Sequence, residues 1–174
     1  MLEKIISGGQ TGVDSAALDT ALALDFDFGG WCPKGRINEN GLLPLQYSKL
    51  REIDGDYACD KENYDTRTRM NIRDSDATLI LLPSLPIPES IKDGTLLTIE
   101  ETQKQHKPYF MISLTDANEA NIELFKTWFL ENDIFVLNIA GPRESSWDGI
   151  HDMAYHFLMT IVPQLIQQKN FAPT

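Results

Sequence analysis

The stretch Ser7-Gly8-Gly9-Gln10-Thr11-Gly12-Val13-Asp14 carries the residue types of an anion site. Its glycines let a backbone turn tightly and approach a ligand closely. Ala17, Ala21 and Leu24 follow at helical spacing, so the turn opens a helix. The unpaired N–H groups and positive dipole end of such a helix favour a phosphate. The spacing is neither G-x-G-x-x-G nor a Walker A loop, because no Lys-Ser/Thr follows the last glycine. Thr11 and Asp14 also fit a capping box, a tight turn that satisfies two N–H groups without any ligand.

Other clusters carry compatible chemistry. Cys32, Lys34, Gly35 and Arg36 combine a thiol with two cations, and neighbouring cations lower a thiol's pKa. Gly94 and Thr95 open a later helix, and Asn138, Gly141, Arg143 and Ser145 follow the last strand. Arg67, Asn71 and Asp74 share one helix face. A dinucleotide enzyme would place Asp or Glu after its second strand. Lys34 and Arg36 stand there instead, which disfavours NAD and favours a phosphate or another oxyanion. Each cluster also has a plainer reading. Lys34 and Arg36 would be solvated loop cations, the helix face would carry intrahelical charge pairs, and Cys32 would be a buried inert thiol. Groups suited to catalysis are sparse. Ser7, Ser84 and Ser145 lack a G-x-S-x-G elbow, and His106, His151 and His156 read as surface positions in or beside helices. Glu100 is either an ordinary helix carboxylate or an acid–base group facing the site.

The elements that position these residues alternate. Strands are expected at Lys4–Ile6, Phe26–Trp31, Ala77–Leu82, Tyr109–Ile112 and Ile134–Ile139. Helices are expected after Gly12, over Tyr64–Arg73 and Thr95–Lys104, around Ile122–Phe129, and from Ile150 to a kink or end at Pro163. Residues 32–60 are a long segment without periodicity. Leu42, Leu43, Leu45, Tyr47, Leu50, Ile53 and Tyr57 argue that it packs rather than staying disordered. Five alternations predict a three-layer α/β/α sandwich with a mostly parallel sheet of five strands or slightly more, in one domain over 1–174. Such sheets bind ligands beyond the carboxyl ends of their strands, at a switch point in strand order. All four strand-end loops are therefore expected to converge on one rim.

Composition narrows the partners. The formal net charge of −11 argues against a general nucleic-acid or membrane-surface binder. The two cysteines, Cys32 and Cys59, have no metal-site spacing. The first strand follows Met1 almost at once and no apolar run reaches membrane length, so a cytoplasmic protein is expected. A homo-oligomer paired through helices is compatible with a domain of this size.

Gly8-Gly9-Gln10-Thr11-Gly12-Val13-Asp14, Gly30-Trp31-Cys32-Pro33-Lys34-Gly35-Arg36, Arg67-Thr68 with Asn71, Asp74-Ser75-Asp76, and Leu137-Asn138-Ile139-Ala140-Gly141-Pro142-Arg143-Glu144-Ser145 resemble the putative molybdenum carrier family. The resemblance runs from residue 4 to about residue 150. It implies a Rossmann-like fold and a role in binding or carrying molybdenum cofactor, a pterin bearing a phosphate and a molybdenum dithiolene. The metal would arrive bound to the pterin, so no protein metal ligands are needed. Ile91-Lys92-Asp93-Gly94-Thr95-Leu96-Leu97-Thr98 is also similar to the P-G-G-x-G-T-x-x-E motif of lysine-decarboxylase-like phosphoribohydrolases. Here the paired glycines are missing and Thr98 stands where the catalytic Glu would be, which favours binding over hydrolysis. Two functions result: a carrier of a phosphorylated pterin or nucleotide, and an enzyme cleaving a nucleotide N-glycosidic bond with Glu100 or Asp14 as carboxylate.

Overall fold

The computed structural model describes residues 1–166. In chain order its elements are β1 (Lys4–Ile6), α1 (Val13–Ala23), β2 (Phe28–Gly29), β3 (Trp31–Cys32), β4 (Ile37–Asn38), β5 (Gly41–Leu42), β6 (Arg51–Glu52), α2 (Asp60–Arg73), β7 (Ala77–Leu82), α3 (Gly94–Lys104), β8 (Tyr109–Ser113), α4 (Glu119–Glu131), β9 (Val136–Ala140) and α5 (Ile150–Ile166). Five strands make one sheet in the order β2-β1-β9-β7-β8, every neighbouring pair parallel. With helices on both faces this is a Rossmann-like sandwich. β3 pairs with β6 and β4 with β5 outside that sheet.

β7 shows how the layers form. All six of its residues are buried, and side chains alternate across the sheet. Leu79 and Leu81 join the main core with Ala17 and Ala21 of α1, Phe125 and Phe129 of α4, and Leu158 and Leu165 of α5. Ile80 and Leu82 face a smaller cluster with Ile91 and Ile99. That second face is covered by α2 and α3, which pack on each other. They bury Asn63, Thr68, Asn71, Thr95, Thr98, Glu101 and Thr102. Polar groups taken out of water must find partners. This side of the sheet thus carries a polar layer beside its small apolar cluster.

The switch point lies where that layer opens. From β1 the chain crosses through α1 to β2 at one edge, and from β7 through α3 to β8 at the other, with β9 between them. The diverging crossovers leave a crevice beyond the carboxyl ends of β1, β9 and β7.

Several local expectations are corrected. The strand expected over Phe26–Trp31 breaks at Gly30, whose φ is +122° and where a Cβ would lie 2.4 Å from the Ser7 carbonyl oxygen. β3 then leaves the sheet to pair with β6. The last sheet strand starts at Val136 rather than Ile134, because the Asp76 carboxylate takes the N–H groups of Phe135 and Val136. Residues 32–60 pack through Leu43, Tyr47, Leu50 and Ile53, but Leu42 and Leu45 are exposed. α5 runs through Pro163, since burial of Ile161, Val162 and Leu165 outweighs the backbone hydrogen bond that proline removes.

Candidate functional site

The crevice is lined by Gly8, Gln10 and Asp14 of the first turn, Arg67, Thr68 and Asn71 of α2, Asp93, Gly94 and Thr98 at the start of α3, and Asn138, Ala140, Gly141 and Arg143 after β9. Its inner part has a volume of about 30 Å³. Arg67, Thr68, Asp93, Gly94 and Arg143 also line an adjoining groove of about 370 Å³ between α2 and α3, which adds Lys61, Tyr64, Asp65, Lys92 and Leu97. That volume is in the range of small-molecule sites.

The inner part is narrow because Arg67 fills it. A Cβ at Gly8 would lie 1.7 Å from Arg67 Nη1, so the glycine there makes room for the guanidinium. Arg67 Nη1 donates to Asp14 Oδ2 at 2.8 Å, with the two side chains 12% and 4% exposed. Asp14 Oδ2 also accepts from the Gln10 N–H at 3.2 Å. Burial pushes the Asp14 carboxyl upward in pKa, against the pull of Arg67 and the Gln10 amide. The anion position at this turn is thus held by a carboxylate of the chain. The capping box does not form. Gly12 is the N-cap without a side-chain bond, and the Thr11 hydroxyl donates to the Glu39 carboxylate instead. Gly12 itself has φ +74°, and a Cβ there would lie 2.3 Å from the Pro142 carbonyl oxygen. It fixes the approach of α1 to the β9 loop. Gly9 packs on Leu43 and Leu50.

Two atoms stand out electrostatically. Arg67 Nε and Arg143 Nε are buried with no hydrogen-bond partner, and both guanidiniums line the crevice. An unmet buried donor is costly, more so when charged, and an oxyanion is its natural complement. The Arg143 guanidinium lies 5.9 Å from the Tyr64 ring centroid, and its Nη1 is 3.8 Å from Glu39 Oε2.

Around these arginines the polar partners are mostly paired. Asp93 Oδ1 accepts from Thr95 N–H at 3.0 Å and Thr95 Oγ1 at 2.6 Å, capping α3. Its Oδ2 accepts from Arg143 N–H at 3.1 Å and Ser146 Oγ at 2.7 Å, tying α3 to the β9 loop. Burial alone would raise the Asp93 pKa, but those bonds outweigh it and lower it. Asn138 Nδ2 donates to Thr78 Oγ1 at 3.1 Å. Asn71 Oδ1 accepts from Trp31 N–H at 2.7 Å, and its Nδ2 donates to Trp31 O at 2.9 Å, so the amide stands in for a neighbouring strand. Asp74 accepts from Trp31 Nε1 at 2.7 Å. Of that helix face, Asn71 is buried against β3 and Arg67 against Asp14, while Asp74 just beyond α2 is exposed and also pairs with Arg73.

Not every strand-end residue converges. Lys34 Nζ turns away to the Gly55 carbonyl at 2.6 Å and to Asp56 at 3.2 Å. With Gly35 it lines a separate depression beside Tyr57 and Asn63. Arg36 spends its guanidinium on the Leu50 and Tyr47 carbonyls at 2.7 and 3.0 Å, holding residues 37–50 in place. Burial pushes the Cys32 thiol upward in pKa despite nearby Arg36, so the expected lowering does not occur. Glu100 is exposed, off the crevice. Thr11 and Ser145 meet at Glu39 on the crevice's flank.

The model of the family described as cpYpsA, circularly permutated YpsA SLOG, matches residues 5–162. The chain belongs to this cpYpsA family. A crystal structure of a putative molybdenum carrier protein from Syntrophus aciditrophicus SB superposes on it with a TM-score of 0.81 at 37% identity, covering 92% of this chain and 95% of that one. No curated protein matches.

In this cpYpsA chain the crevice and its surroundings also take in residues that spacing did not single out. Asp93 had a readable signal, an N-cap aspartate directly before Gly94-Thr95. Tyr64 and Lys92 had none, because only the packing of α2 on α3 brings them to one groove. Glu39 lies on the turn joining β4 to β5 and reaches the site across more than a hundred residues of sequence to Ser145. His151 is not a plain surface residue. Its Nε2 is 2.9 Å from Asp19 Oδ2 and its Nδ1 is 3.1 Å from Asp152 Oδ1. Burial would lower its pKa, but these carboxylates outweigh burial and raise it.

Proposed function

We propose that the protein binds a phosphorylated pterin, by its resemblance the molybdenum cofactor, in the groove between α2 and α3, and that it acts as a cytoplasmic carrier. The pair of buried, partnerless Nε–H groups on Arg67 and Arg143 carries this reading. They fit the phosphate of such a ligand, and Tyr64 and Leu97 give the same groove apolar surface for a planar ring. The relative from Syntrophus aciditrophicus, a putative molybdenum carrier protein, supports the ligand class. By the resemblance, the metal would arrive bound to the pterin. A chain of net charge −11 repels anions at long range, so affinity must come from short charge-assisted hydrogen bonds.

Native mass spectrometry of gently purified protein should show a co-purifying phosphorylated pterin. Calorimetry with that compound should give an Arg143→Ala affinity lower by about ten- to a hundredfold. Lys34→Ala, whose side chain turns to Gly55 and Asp56 and does not line the groove, should bind as the parent does. Equal affinity in Arg143→Ala would remove the site from this groove. One observation favours a second reading, N-glycosidic cleavage of a nucleotide: the Asp14 carboxyl lines the crevice with its pKa pushed up. Release of free base from nucleoside monophosphates that disappears in Asp14→Asn would promote it.

A further inference from the structure

Glu39 sits in a seat built for an oxyanion. Its carboxylate accepts from the Thr11 hydroxyl and the Ser145 hydroxyl, and from the Ser145 N–H at 3.3 Å. The Arg143 guanidinium closes the seat 3.8 Å away. Thr11 is itself fixed, since its hydroxyl oxygen accepts from the Glu144 N–H at 3.1 Å. The donors come from the loops after β1 and β9, the two central strands that the crevice also uses, and Arg143 belongs to both crevice and seat. The carboxylate, by contrast, comes from elsewhere in the fold. It is delivered by the β4–β5 hairpin, which lies outside the main sheet and pairs through two residues on each strand.

The base of the hairpin is anchored by buried Leu43 and by the Leu43 N–H to Arg36 carbonyl bond at 2.8 Å, whereas its turn is held by few contacts besides the Glu39 carboxylate. The Gln10 side-chain carbonyl accepts from the Glu39 N–H at 3.0 Å, and Asn38 Nδ2 donates to Gly9 O at 3.3 Å. Its tip is exposed, with Asn40, Gly41 and Leu42 in solvent. A hairpin of two-residue strands with an exposed tip is an element of low local stability. Its carboxylate presents two oxygens to two hydroxyls, one amide and one guanidinium. Those are the contacts a phosphate or molybdate oxygen edge would make there.

We infer that Glu39 is an internal plug, a carboxylate standing in an oxyanion seat formed by Thr11, Ser145 and Arg143, and that a tetrahedral oxyanion displaces it and releases the β4–β5 hairpin. This rests on the proposal that the neighbouring groove binds an anionic ligand, and it adds a regulated entry to that site. With Glu39 seated, Arg143 is shared between the plug and the groove. With Glu39 displaced, Arg143 is free to serve the ligand. The plug lowers apparent affinity by the fraction of molecules in which the seat is open. If that fraction is about 1–10%, removing the plug tightens binding about ten- to a hundredfold.

The test uses inorganic phosphate and molybdate as separate probes, with the full chain, by calorimetry. Glu39→Gln and Glu39→Ala should both bind at least one probe about tenfold or more tightly than the parent, and the two arms show which oxyanion the seat prefers. Thermal melts identify any variant that fails to fold, and the other variant then carries the comparison. Removing a negative charge near Arg143 could raise affinity without any displacement, so a second readout is required. In the parent, hydrogen exchange of amides 37–42 should speed up at saturating probe, because Glu39 has left its seat. Tighter variants together with faster hairpin exchange support the plug. Binding by the parent with unchanged or slower exchange, or with variants no tighter, overturns the plug while leaving the groove intact. No binding of either probe by the parent or by either variant overturns the seat. Loss of pterin binding in Arg143→Ala is measured separately and decides the groove.

Discussion

Replacing Arg67 with methionine isolates the contact on which the crevice depends. Arg67 and Asp14 meet at 2.8 Å with both side chains largely out of water. At an effective dielectric of about 20, the attraction at that distance is about 6 kcal/mol, partly offset by desolvation of both charges. Methionine fills much of the volume over Gly8 but leaves Asp14 buried without its counter-charge. Losing one partner of a buried pair costs about 3–5 kcal/mol, so Arg67→Met should unfold earlier in urea by that amount at neutral pH. The pH dependence identifies the cause. Burial already raises the Asp14 pKa, and removing Arg67 takes away its main opposition. The folded variant then holds a proton at pH values where the unfolded chain has released it. Its stability therefore rises as the pH falls through the raised pKa, and the deficit against the parent shrinks toward pH 4. Adding Asp14→Asn should restore most of the loss, because the uncompensated charge is gone. An Arg67→Met variant within about 1 kcal/mol of the parent across pH 4.5–8 would refute the account of Arg67 as the counter-charge of a buried carboxylate.

Gly12→Val should destabilise by about 2 kcal/mol or more, since valine would have to adopt a left-handed φ against the Pro142 carbonyl; the change in melting temperature reads it. Asp93→Ala removes the α3 cap and two bonds to the β9 loop, and should cost about 1–3 kcal/mol in chemical unfolding while also weakening ligand binding through Arg143. Because the His151 pKa is raised in the fold, its contribution is fully present below the unfolded value of about 6.5 and is lost as pH rises through the folded one. Asp19→Asn should flatten that fall in melting temperature between about pH 6 and 8, and an unchanged profile would show that the Asp19 contact does not set it. Arg143→Lys should lose much of the affinity that Arg143→Ala loses, because a lysine cannot reproduce the planar fork.

The sequence by itself determined the sheet and the loops that meet at the carboxyl ends of its strands. Apolar runs such as Ala77–Leu82 leave no choice but an interior parallel strand, and strands alternating with helices force right-handed crossovers and a switch point. Gly8, Asp14, Arg67, Gly94 and Arg143 were legible because they follow strands or share a face with residues that do, and the fold brings them to one crevice. Tertiary structure alone decided which donors remain free. Local patterning gave Lys34, Arg36 and Arg143 equal standing as loop cations. In the fold, Arg36 is spent on the Leu50 and Tyr47 carbonyls and Lys34 on Gly55, while Arg143 keeps a buried N–H unmet. The same holds for the carboxylates. Helical position leaves Glu100 either an ordinary carboxylate or an acid–base group; in the fold it is exposed, and the distant Glu39 reaches the Thr11 and Ser145 hydroxyls. Hydrophobic period is a property of neighbours in sequence, so it can be read residue by residue. Whether a charge is satisfied depends on groups far along the chain, and only the packed structure brings those together.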